Sequence, residues 1–191
     1  MTHIAIFASG NGTNCENIIR YFEKSTEVNI ALVISNKADA RVLQRAEALG
    51  VETAIVDKTV FQNEQGMHSM LQFHHIDFIV LAGFLLMIPD FLIREYDHRM
   101  LNLHPALLPK FGGKGMYGHH VHEAVKAAGE TETGMTVHWV SNVCDGGDII
   151  AQYRTPLSPD DTPDTIADKE HVLEMEYFPQ VIEKAIKGEL R

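Results

Sequence analysis

One apolar run in the middle of the chain limits the folds that the sequence can adopt. The residues that follow Asp77, Phe78-Ile79-Val80-Leu81-Ala82, are apolar at successive positions. Because successive side chains of a β-strand point to opposite faces, such a strand is apolar on both faces. A strand of this kind belongs in the centre of a parallel sheet that helices cover. The run therefore predicts an α/β fold.

Strands and helices alternate in the first half of the chain. Short β-rich runs at 3–8, 29–34 and 54–56 are each followed by a helical pattern, at 13–24, 40–49 and 61–73. Alternation of this kind predicts an open sheet of Rossmann type, in which ligands bind beyond the carboxyl ends of the strands.

The pattern changes after residue 100. We expect short strands at 100–103, 133–140 and 149–153, a helix at 121–128, and a closing helix from Pro163 that Pro179 kinks or divides. The expected fold is a single-domain, Rossmann-like open twisted sheet with helices on both faces. The sheet is mostly parallel, with an antiparallel C-terminal part, and the domain spans 1–191 with halves 1–100 and 101–191.

Charge, hydropathy and cysteine content exclude several classes of protein. Sixteen Lys and Arg against 26 Asp and Glu give a net charge of −10, which disfavours nucleic acids and anionic membranes as partners. The longest apolar run, 78–88, is shorter than the ~20 residues of a membrane helix, and the N-terminus lacks the basic start of a signal peptide. Two cysteines, Cys15 and Cys144, fit reduced thiols, so we expect a cytoplasmic protein.

The turn after the first strand has the composition of a phosphate site. Gly10-Asn11-Gly12-Thr13-Asn14 leads into a helix, where backbone N–H groups and the positive end of the helix dipole favour an anion. A dinucleotide fingerprint fits less well, because Cys15 stands where the third glycine would be and no acidic residue follows the second strand. An ordinary turn remains an alternative.

Two further motifs carry polar side chains suited to acyl chemistry. Asn102 and His104 are two apart on a predicted strand and so point to the same face, where an amide and an imidazole can stabilise an oxyanion and move a proton. Asp145-Gly146-Gly147 places a carboxylate that can orient a histidine. A turn-forming Asn, a structural His and a common Asp-Gly turn remain alternatives for each motif alone.

Together these motifs resemble the phosphoribosylglycinamide formyltransferase family over nearly the whole chain. The resemblance implies transfer of a formyl group from 10-formyltetrahydrofolate, the co-substrate, to glycinamide ribonucleotide in purine synthesis, with small molecules as partners and no metal. The sequence leaves a homodimer open. The matching segments, in order, are Ser9-Gly10-Asn11-Gly12-Thr13-Asn14, Ser35-Asn36-Lys37, Leu81-Ala82-Gly83-Phe84, Leu101-Asn102-Leu103-His104-Pro105-Ala106-Leu107-Leu108-Pro109, Val137-His138 and Asp145-Gly146-Gly147.

The resemblance also implies roles for individual residues. The catalytic trio would be Asn102, His104 and Asp145, with Asn102 also touching the folate. The ribonucleotide would bind at its phosphate through Gly12, Thr13 and Asn14, and at its amine end through Glu174. The pterin pocket would be walled by two segments, Phe84, Leu85, Leu86, Met87, Ile88 and Val140, Ser141, Asn142, Val143, Cys144.

The chain departs from many relatives at two places where they carry an arginine. Gln62-Asn63-Glu64 and Leu85-Leu86 stand there instead, which puts the usual ligand contacts at Glu64 and Leu86 in doubt. A hypothesis is that Lys110, Lys114 or a backbone amide of the glycine-rich loop 112–118 replaces them. His119-His120-x-His122 suggests a metal site, but no cluster of further ligands completes it.

Three other functions share some of these sequence features. The methionyl-tRNA formyltransferases are similar in that they use the same trio and the same folate donor. The acidic chain disfavours tRNA, a large polyanion, as the formyl acceptor. A non-catalytic nucleotide-binding module would not need the trio. A nicotinamide-dependent oxidoreductase is opposed by Cys15 and by the missing acidic ribose ligand.

Overall fold

Strands and helices alternate along the first of two compact units. The computed structural model describes residues 1–190, and the units divide after Leu101. The elements of the first unit are β1 (Thr2–Phe7), α1 (Thr13–Phe22), β2 (Val28–Ser35), α2 (Arg41–Ala48), β3 (Thr53–Ile55), α3 (Lys58–Phe61), α4 (Glu64–Phe73), β4 (Phe78–Leu81) and α5 (Asp90–Glu95). Those that follow are β5 (Met100–His104), α6 (His119–Ala127), β6 (Glu132–Trp139), β7 (Ile149–Pro156) and α7 (Pro163–Ile186).

The seven strands form one sheet in the order β3-β2-β1-β4-β5-β6-β7. β1 pairs in parallel with β2 and β4, and β2 pairs in parallel with β3. β6 and β7 are antiparallel. All four residues of β4 are buried, as expected for a strand that is apolar on both faces. The prediction of a mostly parallel α/β sheet with an antiparallel C-terminal part is confirmed.

Three helix boundaries differ from the sequence-based expectation. The helix expected over 61–73 is two helices, because the Asn63 side chain accepts a hydrogen bond from Gly66 N and starts α4 afresh. The short helix α5 was not predicted. α7 continues through Pro179 for 24 residues, so of the two expectations for this proline, a kink or a division, the division is wrong. Phe178, Val181 and Ile182 are buried around the proline, and their packing compensates for the lost N–H.

The core of the first unit is apolar and includes an aromatic cluster. The rings of Phe7 and Phe61 lie edge to face with centroids 6.1 Å apart, and the Phe84 ring packs on both, with centroid distances of 5.3 and 5.2 Å.

Among residues 1–190, no helix combines the length and apolar character that crossing a lipid bilayer requires.

Candidate active site

Ser9 links the chain segments that follow three parallel strands of the first unit. Its hydroxyl donates to Asn36 Oδ1 at 2.5 Å and accepts from Leu85 N at 2.9 Å, and its own N–H donates to Gly83 O at 3.0 Å. Ser9 itself is buried, and both hydrogen bonds of its hydroxyl are partly buried. The motifs that follow β1, β2 and β4 are thereby fixed to one another at the carboxyl edge of the sheet.

The first turn ends at Gly12, which has a left-handed conformation with φ of 79° and offers α1 no side-chain cap. A Cβ at this position would lie 2.6 Å from the backbone and side chain of Val42. Only glycine fits both the backbone angle and the close approach of α2. The loop thus leads directly into the uncapped N-terminus of a ten-residue helix, the arrangement that suits an anion.

The predicted trio comes together in the second unit around a fourth residue, His138. Asp145 Oδ2 lies 3.6 Å from His104 Nδ1, and Asp145 Oδ1 lies 3.7 Å from His138 Nε2. Asn102 Nδ2 lies 3.0 Å from His138 Nε2. One carboxylate therefore bridges two buried imidazoles, and the Asn102 amide joins the group through the second.

The carbonyl partners of the two histidines assign their protons. His138 Nδ1 lies 2.8 Å from Trp139 O, and His104 Nε2 lies 2.8 Å from Phe111 O. Since a carbonyl can only accept, each of these nitrogens carries a hydrogen and donates it. When His104 is neutral, its Nδ1, 3.6 Å from Asp145 Oδ2, is the nitrogen that can accept a proton.

Asp145 takes its place in this cluster through a left-handed backbone conformation and close packing against two glycines. Asp145 has φ of 53°, an uncommon conformation for a residue with a Cβ. A Cβ on Gly147 would lie 1.8 Å from Trp139 O, the carbonyl that holds His138. A Cβ on Gly112 would lie 2.4 Å from Leu108 Cδ2 and 3.3 Å from Asp145 Cβ. Close packing therefore requires glycine at Gly147 of the Asp-Gly-Gly turn and at Gly112 of the loop that contacts Asp145.

The surroundings shift the pKa values of His104 and Asp145 in the same direction. Burial lowers the pKa of His104 below its ordinary 6.5, and the opposing charge of Asp145 only partly restores it. For Asp145, burial favours a higher pKa, but contacts with His138, His104 and the Gly113 N–H outweigh it, and the pKa is lowered. At neutral pH the resting pair is a neutral imidazole beside a carboxylate.

The other predicted site residues lie in three places. In 84–88, Phe84 packs into the aromatic cluster, whereas Leu85 and Met87 are exposed and Leu86 and Ile88 are partly exposed. Segment 140–144 is exposed or partly exposed throughout. Glu174 lies on α7, buried, with Oε2 3.1 Å from His171 Nδ1.

One of the two segments where the resemblance leads us to expect an arginine, 62–64, has a local structural role. Asn63 caps α4, and Glu64 is the acidic residue of its first turn. Lys110 is paired with Glu130 at 2.8 Å, while Lys114 is exposed. Within 1–190, no three His, Cys, Asp or Glu side chains are grouped to hold a metal ion.

In the sequence, Val137-His138 matches the family without giving His138 a role, and the backbone of the loop 112–118 enters only as a replacement for missing ligand contacts. Phe111 O contacts His104, and Gly113 N donates to Asp145 Oδ2 at 2.9 Å, so the backbone at 111–113 contacts two members of the trio. A histidine inside a strand whose other residues are nearly all buried was the available signal for His138. No side-chain pattern reveals a contact made by a backbone carbonyl.

The chain matches the family model described as formyl transferase over residues 2–182. The chain belongs to the formyl transferase family. Phosphoribosylglycinamide formyltransferase from Bacillus subtilis is 36% identical over 97% of this chain and 95% of its own length. The chloroplastic enzyme of that name from Arabidopsis thaliana is 34% identical over 96% of this chain and 66% of its own length.

Solved structures of this family share the fold. The enzyme from Coxiella burnetii, in complex with CHES, has a TM-score of 0.85 and 38% identity, covering 98% of this chain and 88% of that one. Glycinamide ribonucleotide transformylase 1 from Symbiobacterium toebii has a TM-score of 0.89 and 29% identity, covering 98% and 89%. These matches favour phosphoribosylglycinamide formyltransferase over methionyl-tRNA formyltransferase, a nucleotide-binding module and an oxidoreductase.

Proposed function

We propose that the protein transfers the formyl group of 10-formyltetrahydrofolate to the amino group of N1-(5-phosphoribosyl)glycinamide. The products are formylglycinamide ribonucleotide and tetrahydrofolate, in the synthesis of purines. The observation that carries the proposal is the buried cluster in which Asp145 lies between His104 and His138, with the Asn102 amide on His138. The family membership and the names of the relatives support the same reaction.

The cluster supplies what the reaction needs. The glycinamide nitrogen attacks the formyl carbon, a C–N bond forms, and the formyl oxygen becomes an oxyanion that the Asn102 amide stabilises. His104, neutral at rest because burial lowers its pKa, accepts the proton that the amine loses. Asp145 stabilises the imidazolium so formed. The proton then passes to the folate nitrogen, directly or through a bound water, as its bond to the formyl carbon breaks.

Binding of the substrates is assigned to the residues that match the family. The phosphate would lie on Gly12, Thr13 and Asn14, where α1 has no side-chain cap. Glu174 would bind the amine end of the ribonucleotide. The folate would bind along 84–88 and 140–144 and touch Asn102, and the exposed apolar side chains of Leu85, Met87 and Val143 suit a pterin ring.

We place the enzyme in the cytoplasm, where its two free thiols, Cys15 and Cys144, stay reduced. Asn102, His104 and Asp145 come from one chain, so the reaction is compatible with a monomer and with a homodimer. Sedimentation equilibrium measures which of the two forms.

The test is a turnover assay with purified protein, glycinamide ribonucleotide and 10-formyltetrahydrofolate, in which release of tetrahydrofolate is followed. We expect wild-type turnover and a loss in kcat of about 10²–10⁴-fold in His104→Ala, because the proton acceptor is removed. His68→Ala, which removes a partly exposed imidazole elsewhere, serves as the matched control. No turnover by the wild type, or full turnover by His104→Ala, would contradict the proposal.

A further inference from the structure

The side chain of Arg45 in α2 holds the loop that precedes α1. Its Nε donates to Asn11 O at 2.9 Å, and its Nη2 donates to Asn11 Oδ1 at 3.3 Å. One guanidinium thus binds both the backbone and the side chain of the residue just before Gly12. The backbone of α2 adds a further bond, from Val42 N to Gly10 O at 3.2 Å.

The third arm of the same guanidinium binds Glu16, in the first turn of α1. Arg45 Nη1 is paired with Glu16 Oε2, and Arg20 binds Oε1 of the same carboxylate at 2.9 Å. The hydrogen bond from Arg45, followed by that from Arg20, lowers the pKa of Glu16, so the carboxylate is ionised. The two arginines offset a negative charge that would otherwise repel an anion at this helix terminus.

We infer that Arg45 is a positioning residue for the phosphate of the ribonucleotide, acting by fixing Asn11 so that the N–H groups after Gly12 point at the phosphate. The inference rests on the proposed function, in which Gly12, Thr13 and Asn14 bind that phosphate. Arg45 is suited to this because a planar fork with several donors fixes a direction as well as a charge. With one side chain bonded to the loop and to α1, loop and helix terminus move together.

Steady-state kinetics with each substrate varied in turn tests the inference. In Arg45→Gln we expect KM for the ribonucleotide to rise about ten- to a hundredfold, the range for losing hydrogen bonds of a charged group. We expect kcat and KM for the folate to stay within about twofold of wild type, because the trio is untouched. Arg45→Lys keeps the charge but loses the fork, so it should show a similar rise.

Two further variants separate geometry from charge. Arg41→Gln removes a positive charge from the same cavity, of about 290 Å³, that Arg20 and Arg45 line, and should leave both Michaelis constants unchanged. In Glu16→Gln/Arg45→Gln the repulsion by Glu16 is gone but Asn11 is still unheld, so KM for the ribonucleotide should stay high. Full recovery in this double variant would mean that Arg45 acts by charge alone and would overturn the inference.

Binding of inorganic phosphate, measured by isothermal titration calorimetry, keeps the test independent of turnover. Phosphate affinity should fall in Arg45→Gln and Arg45→Lys in parallel with the rise in KM, at unchanged melting temperature. An unaltered phosphate affinity, or an equal rise in both Michaelis constants, would overturn the role of Arg45. A wild type that binds phosphate in this manner but does not turn over would instead refute the proposed function.

Discussion

The two units of the chain differ in what they bury. In the first unit the buried polar side chains among the described residues are two serines, Ser9 and Ser35. Its buried ionisable groups, Cys15 and Tyr96, are neutral, since burial raises the pKa of each to about 12. The second unit buries three histidines and two glutamates, which are His104, His122, His138, Glu170 and Glu174.

This difference shows two ways of building a functional site. In the proposed function, the loop of the first unit would bind through backbone groups and glycine geometry, at an edge that an apolar core holds in place. The trio of the second unit would act through side chains whose ionisation the interior controls. We therefore expect substitutions in the second unit to alter chemistry and pH dependence, and those in the first to alter binding of one substrate.

Removing the carboxylate of the trio should have the largest effect. In Asp145→Asn we expect kcat to fall about 10²–10⁴-fold, because the imidazolium formed at His104 loses its counter-charge. In the wild type, kcat/KM should rise with pH through a pKa below 6.5, since burial lowers the pKa of His104 and only the neutral ring accepts a proton. The charge of Asp145 raises that pKa in part, so in Asp145→Asn the rise should move to lower pH.

Complete pH–rate profiles of both proteins measure this shift. Asp148→Asn, at an exposed carboxylate three residues along the same turn, is the control and should reproduce the wild-type profile. If the rise of kcat/KM with pH moved to higher pH in Asp145→Asn, the assignment of His104 as the proton acceptor would be contradicted.

A substitution in the first loop should have a smaller effect, confined to one substrate. In Gly12→Ala the new Cβ would meet Val42 at 2.6 Å in a left-handed backbone. We expect a loss of about 1–3 kcal/mol in the free energy of unfolding and a severalfold rise in KM for the ribonucleotide. Gly10→Ala, which has open space around the new Cβ, is the matched control. A fall in kcat with unchanged KM for the ribonucleotide in Gly12→Ala would contradict the division of roles between the Gly12 loop, which we expect to bind, and the trio, which we expect to catalyse.

The same contrast explains how far the sequence could be interpreted. The strands of the first unit were predictable because an apolar core leaves a simple pattern, as in β4. Asn102 and His104 could be paired because residues two apart share a face of a strand. Their meeting with Asp145 and His138 could not be derived, since it depends on the pairing of β6 with β7 and on a positive φ at Asp145. The bonds of Arg45 to Asn11 join residues 34 apart and have no periodicity.

The smallest expected effect concerns Glu170, a buried carboxylate of the second unit away from the trio. Thr133 Oγ1 donates to its Oε1, and His122 Nδ1 lies 2.8 Å from its Oε2. Burial nevertheless raises the pKa of Glu170 above its ordinary 4.5, although His122 and Thr133 oppose the rise and Glu174 adds to it. The folded state therefore holds this proton to higher pH than the unfolded chain does.

The sign of the pH effect on stability follows from that difference. Stability contributed by the protonated carboxyl is fully present below about 4.5 and is lost as pH rises through the raised pKa of the folded state. Glu170→Gln should therefore gain stability relative to wild type as pH rises from 4.5 towards 7, with changes on the order of 1 kcal/mol. Denaturant unfolding at several pH values measures the difference, and Glu176→Gln, on the exposed side of α7, should give none. If Glu170→Gln instead lost stability relative to wild type over this range, the buried carboxylate would be held charged by His122. The second unit would then be stabilised by an ion pair between Glu170 and His122, and our inference that Glu170 is protonated would be wrong.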